Sequence, residues 1–419
     1  MTQRTSPPFR ADQVGSLLRP PAIKTAREQR ARKEITDVAL RAIEDREIEK
    51  AIARQERIGL KLATDGEFRR SWWHFDFFRG LAGATFYTTD HGIQFHGVQT
   101  KAETIKIDGK ISFSGHPMLD HFKFLKAHAR VTPKMTIPAQ STLHFRQGRA
   151  AISQQIYPDL NAFFDDLANA YRAAIRAFHD AGCRYLQLDD TAWSMLCDPN
   201  ERAQSKKRGD DPDSLPARYA RLTNAALQAK PADMAITMHS CRGNFRSTFI
   251  ASGGYDFVAE HLLGYTNFDG YFLEYDSDRA GGFEPLRFFP KGKKQLVLGL
   301  VTSKTGALEN KDEIKRRIDE ATKYVALDQL CLSPQCGFAS TEEGNILADE
   351  EVGEAADDRG DCRGGVGVAQ ILSLPLKGGG LGWGSRSVFT RPYKWTPTRF
   401  APLATSPFQG EVRRMNKHA

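Results

Sequence analysis

Short β-rich runs recur along this chain with long amphipathic stretches between them, and that alternation limits the folds open to it. The runs span residues 12–16, 60–65, 134–138, 185–189, 235–239, 270–274, 295–301 and 330–333. Between several of them the spacing predicts helices: 35–58 is rich in Ala, Glu and Arg, and 160–181 and 311–327 repeat apolar residues at helical period. Strands separated by helices pair in parallel, because the crossover returns the chain to the same end of the sheet. Eight such units in 419 residues predict an α/β fold of the closed TIM-type (β/α)8 barrel class. The stretch 84–115 is alternating, Thr-rich and Gly-containing, which predicts a β-hairpin insertion after the second strand, lying over the barrel mouth.

Barrels of this kind take their chemistry from the C-terminal strand ends. The polar residues there are Gly15 and Ser16, then Asp65, Gly66 and Glu67, then Asp189 and Asp190, then His239 and Cys241, then Glu274, with Cys336 after the last strand. Imidazole, thiolate and carboxylate are the donors Zn2+ prefers in a tetrahedral shell, and catalytic sites often gather them from distant elements. His239, Cys241, Glu274 and Cys336 form such a set on separate predicted loops. A His-x-Cys pair alone is a weak signal, and strand-end placement of all four residues is what gives it weight. Glu260 competes with Glu274 for the carboxylate position; it lies in the helical-looking stretch Val-Ala-Glu-His-Leu-Leu, whereas Glu274 ends an apolar run. Asp190 likewise competes with Asp189, and strand alternation sends the two to opposite faces, leaving one free to cap the next helix. Trp72, Trp73, His74 and Phe75 form an aromatic cluster suited to stacking on a flat ring, or to core or lid packing.

Charge and composition exclude other classes. The net charge is +8, but residues 351–419 hold 10 Lys+Arg against 6 Asp+Glu, so half the excess sits there and the body is near balance. No nucleic-acid partner is expected. No 18-residue apolar run and no signal or transit pattern appear, so no membrane partner is expected. Six irregularly spaced cysteines in so long a chain do not form a disulfide scaffold, and a reducing cytoplasmic location follows. Residues 10–350 are predicted as the barrel. Residues 351–419 carry 11 of the 35 glycines and 5 of the 20 prolines, a composition that predicts disorder where the barrel's last helix is expected. That tail is compatible with a frameshift near Val352, which would make the chain a catalytically defective zinc-binding relative.

Val14-Gly15-Ser16, Asp65-Gly66-Glu67, Leu186-Gln187-Leu188-Asp189-Asp190, His239-Ser240-Cys241, Glu274 and Cys336-Gly337 resemble the catalytic barrel of the cobalamin-independent methionine synthases, in particular their short, single-barrel bacterial form. The resemblance runs from about residue 10 to 350. It implies zinc-dependent transfer of a methyl group from 5-methyltetrahydrofolate, or a related donor, to the thiol of homocysteine, giving methionine. His239, Cys241, Glu274 and Cys336 would then hold the zinc, Glu67 and Asp189 the substrate ammonium, and Gly15 and Ser16 its carboxylate. A thiol of pKa about 8.5 is mostly protonated at neutral pH, and zinc ionises it.

One departure from the pattern is chemical. Long-form enzymes carry a histidine after the seventh strand, where this chain has Gly299-Leu-Val-Thr-Ser-Lys304-Thr-Gly306. An amine anion leaves poorly without a general acid, so either Lys304 or a water-linked acid serves or the donor is a different methyl carrier, which leaves the identity of the donor open. Cys241-Arg242-Gly243-Asn244 is also similar to the epoxide-to-thiol transferases, which makes zinc-dependent alkyl transfer to another small thiol the alternative.

Overall fold

The computed structural model describes residues 4–345 apart from 91, 101 and 308. The predicted tail, 351–419, with its disorder and frameshift readings, lies outside the described residues. The strands in chain order are β1 (Leu62–Ala63), β2 (Ala82–Thr88), β3 (Gln94–Phe95), β4 (Val98–Gln99), β5 (Glu103–Ser112), β6 (Thr132–Pro133), β7 (Met135–Pro138), β8 (Tyr185–Asp190), β9 (Ala235–Ser240), β10 (Gly270–Glu274), β11 (Gln295–Val301) and β12 (Leu330–Pro334).

Six of them form a parallel sheet in the order β12-β11-β10-β9-β8-β7. β1 and β6 pair in parallel, Leu62 with Thr132 and Ala63 with Pro133, and Lys134 N extends that ladder by donating to Ala63 O at 2.9 Å. Beyond β12, Ala11 bridges Leu332 in parallel, with Asp12 N donating to Leu332 O at 3.0 Å and Leu332 N to Arg10 O at 2.9 Å. The fold is therefore α/β with a parallel sheet. Its central strands are buried on both faces, as parallel strands covered by crossovers must be.

The first two predicted strands are shorter in the structure than the sequence suggests, for a local reason. Gln55, on the helix Asp37–Arg57, offers its side-chain amide where a ladder would run: Oε1 accepts from Thr64 N at 2.9 Å and Nε2 donates to Thr64 O at 2.9 Å. Gln13 Nε2 donates to Gln55 Oε1 at 2.8 Å and to Thr64 Oγ1 at 3.1 Å. Side chains thus join 12–16 to 60–65 where backbone pairing was expected, and only Leu62–Ala63 remains regular strand.

The helices predicted over 35–58 and 160–181 form close to their expected limits, whereas the one predicted over 311–327 ends at Ala321. Asp37–Arg57 starts at Thr36, whose hydroxyl accepts from Ala39 N at 3.2 Å, and it carries Asp37 in its first turn and Arg54 and Arg57 in its last. Leu160–Asp180 is capped by Asp159 and buries Phe163, Leu167, Tyr171, Ile175 and Phe178 on one stripe, each apolar side chain contributing about 1.5–3 kcal/mol. Lys311–Ala321 is capped by Asn310. The crossovers on either side of β10 contain only 3-10 and π turns, among them Tyr255–Phe257, Glu260–Gly264 and Glu284–Phe288. The predicted insertion is an antiparallel hairpin of β2 and β5, with Phe86 opposite Ile105, and the small β3–β4 pair lies within it. Among the described residues no helix is long and apolar enough to cross a membrane.

Candidate metal centre

Parallel register brings the predicted site residues to one end of the sheet: Asp189 is opposite His239, His239 opposite Phe272, and Glu274 opposite Gly299. His239 lies within β9, Cys241 just past its end, and Cys336 two residues beyond β12. The ligand atoms of His239, Cys241 and Cys336 lie within 4.8 Å of one another, and all three residues are buried. The two sulfurs are 3.3 Å apart and belong to free cysteines, far beyond the roughly 2.05 Å of a disulfide. Glu274 ends β10 outside that tight trio. It is 1% exposed, and neither carboxylate oxygen has a hydrogen-bond partner. Both ring nitrogens of His239 are also without a partner.

Electrostatics of the protein alone mark this as a place for a cation. Two thiolates 3.3 Å apart would repel by about 5 kcal/mol at an effective dielectric constant near 20, so without a cation one sulfur keeps its proton. The hydrogen bond to Cys336, with burial, pushes the Cys241 thiol well up. Cys336 is held well down by the hydrogen bond from Cys241 and by His239, against the pull of burial. Burial pushes the Glu274 carboxyl up to about 7, opposed by Lys304 and Arg242. Orphaned imidazole and carboxylate atoms beside two soft sulfurs are the donor types of a zinc site, so the residues fit that ion.

The other predicted residues gather beside the trio. Val14, Ser16, Glu67 and Asp189 line the same cavity as His239, Cys241 and Cys336, a space of about 600 Å3. Gly15 is required where it stands: its φ is +150°, and an added Cβ would lie 2.2 Å from Glu67 Oε1 and 2.9 Å from Thr136 Oγ1. Gly337 is similarly placed, since a Cβ there would be 2.0 Å from Ser16 Oγ. Glu67 occupies the left-handed region at φ 57°, with its N–H bonded to Asp65 Oδ1 at 2.9 Å. Burial pushes its carboxyl up to about 8, against the attraction of Arg70, with which it forms an ion pair. Asp189 Oδ1 accepts from Gln187 Nε2 at 2.8 Å, whereas Asp190 turns to Ala192 N at the start of the next short helix and to the Ser141 hydroxyl on the helix Gln140–Phe145. Glu260 lies in the π turn and accepts from the Tyr265 hydroxyl at 3.1 Å.

Lys304 does not line the cavity. Its ammonium donates to Gly243 O at 3.0 Å, Thr248 O at 3.2 Å and Asn244 Oδ1 at 3.4 Å, all on the loop that follows Cys241. Of the aromatic cluster, Trp72, Trp73 and His74 line the cavity, while Phe75 stacks on Trp72 with centroids 5.3 Å apart. Arg70, Arg146, Asn244 and Phe245 also line it and were not singled out from the sequence. Only Arg70 left a signal there, as a cation three residues after Glu67.

A family model described as cobalamin-independent synthase, catalytic domain, matches residues 9–350. The uncharacterized protein YxjH of Bacillus subtilis (strain 168) is 54% identical over 345 residues, which cover 82% of this chain and 91% of YxjH. The crystal structure of a provisionally assigned vitamin-B12 independent methionine synthase from Listeria monocytogenes superposes with a TM-score of 0.66 at 45% identity, covering 81% of this chain and 95% of that one. The 5-methyltetrahydropteroyltriglutamate–homocysteine methyltransferase of Bacillus velezensis is 25% identical over 80% of this chain but only 40% of its own length.

Proposed function

Since the chain belongs to the cobalamin-independent methionine synthase family of methyltransferases, we propose that it methylates the thiol of homocysteine at a zinc centre formed by His239, Cys241, Glu274 and Cys336. We read the parallel pairing, from Ala11 beside β12 round to β1 and β6, as a closed (β/α)8 barrel over about residues 10–350 whose strand ends converge on that centre. The convergence of two sulfurs and an imidazole within 4.8 Å, beside a buried carboxylate whose oxygens have no hydrogen-bond partner and whose nearest cation, Arg242, stands 3.8 Å away, is the observation that carries the reading.

Bound there, Zn2+ supplies the positive charge that ionises an incoming thiol at neutral pH. Everything else falls to the chain. Glu67 and Asp189 face the cavity as two acids and suit the ammonium of an amino acid, which needs a charge partner once it leaves water. Gly15 and Ser16 receive its carboxylate, with Gly15 giving the Glu67 side chain room to lie against the backbone. The methyl donor is of the 5-methyltetrahydrofolate type and enters along the aromatic wall. Lys304 holds the 243–248 loop through its three acceptors. To protonate a leaving nitrogen it must release one of those contacts, and a water-linked acid is the competing route.

The test is a metal assay on the purified full chain together with homocysteine-dependent methyl transfer from 5-methyltetrahydrofolate, methylcobalamin and a small epoxide. About one zinc ion per chain and methionine as product are expected. Absence of metal, or unimpaired turnover by Cys241→Ser and Cys336→Ser, defeats the proposal. Turnover only with the epoxide selects the alkyl-transfer alternative, and metal without turnover on any donor selects the defective relative.

A further inference from the structure

Arg19 lies three residues after Ser16 and is 2% exposed, yet it does not line the cavity. Its guanidinium spends both terminal nitrogens on main-chain carbonyls: Nη1 donates to Thr341 O at 2.6 Å, and Nη2 donates to Arg70 O at 2.7 Å and to Glu67 O at 3.2 Å. All three acceptors belong to residues that do line the cavity. Arg27, on the helix Pro21–Ala31, donates to Phe68 O at 2.7 Å and Arg70 O at 3.2 Å, but it bonds neither the Glu67 nor the Thr341 carbonyl. Arg19 is thus the side chain that joins those two walls. Burial lowers its pKa to about 9, with Arg27 and Arg70 acting the same way and Glu67 and Glu342 against it, so the guanidinium stays charged at neutral pH and its bonds are charge-assisted.

Glu67 gives a second, independent sign. A side-chain-bearing residue at φ 57° is strained, and such a conformation persists only where its surroundings fix it. Its N–H is held by Asp65 Oδ1 at 2.9 Å and its carbonyl by Arg19, so the strained residue is fixed on both sides. The segment 16–19 is itself tied to the same two walls: Leu17 N donates to Gly66 O at 3.0 Å, and Ser16 O accepts from Phe338 N at 2.9 Å.

We propose that Arg19 is a positioning residue for the amino-acid head of the thiol substrate: by clamping the carbonyls of Glu67, Arg70 and Thr341 it keeps the Glu67 carboxylate aimed into the cavity and sets the spacing of the two walls around that head. The inference rests on the reading of Ser16 and Glu67 as the amino-acid grip and adds the residue that holds the grip in shape. Lysine is a poor replacement, because a single ammonium nitrogen does not span carbonyls on two walls as the two nitrogens of a planar fork do.

Calorimetric titration of the zinc-loaded full chain tests this with two thiols, homocysteine and 1-propanethiol, which can reach the metal but has no amino-acid head. Arg19→Lys keeps the charge and is expected to weaken homocysteine binding roughly 10- to 100-fold, while 1-propanethiol binding and zinc content stay at the wild-type level. In a Glu67→Gln background the same substitution should add little, since the two residues act through one contact. Arg19→Met should lose more than Arg19→Lys; if it does not fold, Arg19→Lys decides. Equal homocysteine affinity in Arg19→Lys and wild type, an equal loss for both thiols, or the full loss persisting beside Glu67→Gln overturns the proposal. Failure of the catalytic reading shows separately, as wild-type protein without zinc or with no preference for homocysteine over 1-propanethiol.

Discussion

Glu274→Gln should stabilise the protein without metal and lose that advantage with metal. The carboxyl is 1% exposed with no hydrogen-bond partner, and burial holds it at about 7 instead of its ordinary 4.5. Ionising it in the folded state therefore costs about 3 kcal/mol. The sign follows from linkage. Below pH 4.5 folded and unfolded states are both protonated and there is no penalty; it grows as pH rises and is complete above pH 7. An isosteric amide never pays it, so chelator-treated Glu274→Gln should exceed chelator-treated wild type at pH 8 by up to about 3 kcal/mol, with the gap closing by pH 4. Zinc closes that gap, because a missing ligand that weakens affinity about 100-fold removes about 2.7 kcal/mol of metal-induced stability. Urea unfolding at both pH values, with chelator and with zinc, measures all four states. A variant that is less stable than wild type without metal, yet binds zinc equally well, would refute the assignment of Glu274 as a ligand.

Two further perturbations separate the parts of the site. Gly15→Ala sets a Cβ 2.2 Å from Glu67 Oε1 at a φ of +150°, so it should displace that carboxylate and raise the homocysteine KM about 10-fold or more while zinc content is retained, as steady-state kinetics beside metal analysis will show. Lys304→Met frees the loop after Cys241; if Lys304 is an anchor, zinc dissociates faster and kcat falls at every pH, whereas a proton donor would show as a pH-dependent loss of kcat with metal retained.

The sequence made the central strands legible because β8, β9 and β10 are short, largely apolar runs ended by a polar residue, and β8, β9, β10 and β11 begin where their runs begin. The segment 12–16 was harder to read, since Asp12, Gln13 and Ser16 spend their polar groups on side-chain bonds: Lys134 Nζ and the Tyr185 hydroxyl donate to Asp12 at 3.0 and 2.9 Å. His239, Cys241 and Cys336 were visible from ligand chemistry and strand-end position, and Asp189 parted from Asp190 by alternation alone. Arg146 and Phe245 could not be found that way. They follow a short helix and sit in a loop, where neither period nor spacing marks a direction, and Phe245 becomes part of the wall only by packing on Phe95 with centroids 5.3 Å apart. The short crossovers around β10 escaped notice because the sheet's spacing permits turns where helices were expected.

The Gln55 amide between residues 13 and 64 bears on how a substrate gets in. Ser16 and Glu67, which would grip the two charged ends of an amino acid, lie just beyond the segments joined by that amide, while His239 and Glu274 stand on uninterrupted ladder. A strap of side chains stretches in small increments, but a ladder yields only in cooperative steps. On the proposed reading, the Ser16 and Glu67 edge would then breathe to admit a guest while Asp189, on the same ladder as His239, stays fixed as the point against which the guest settles.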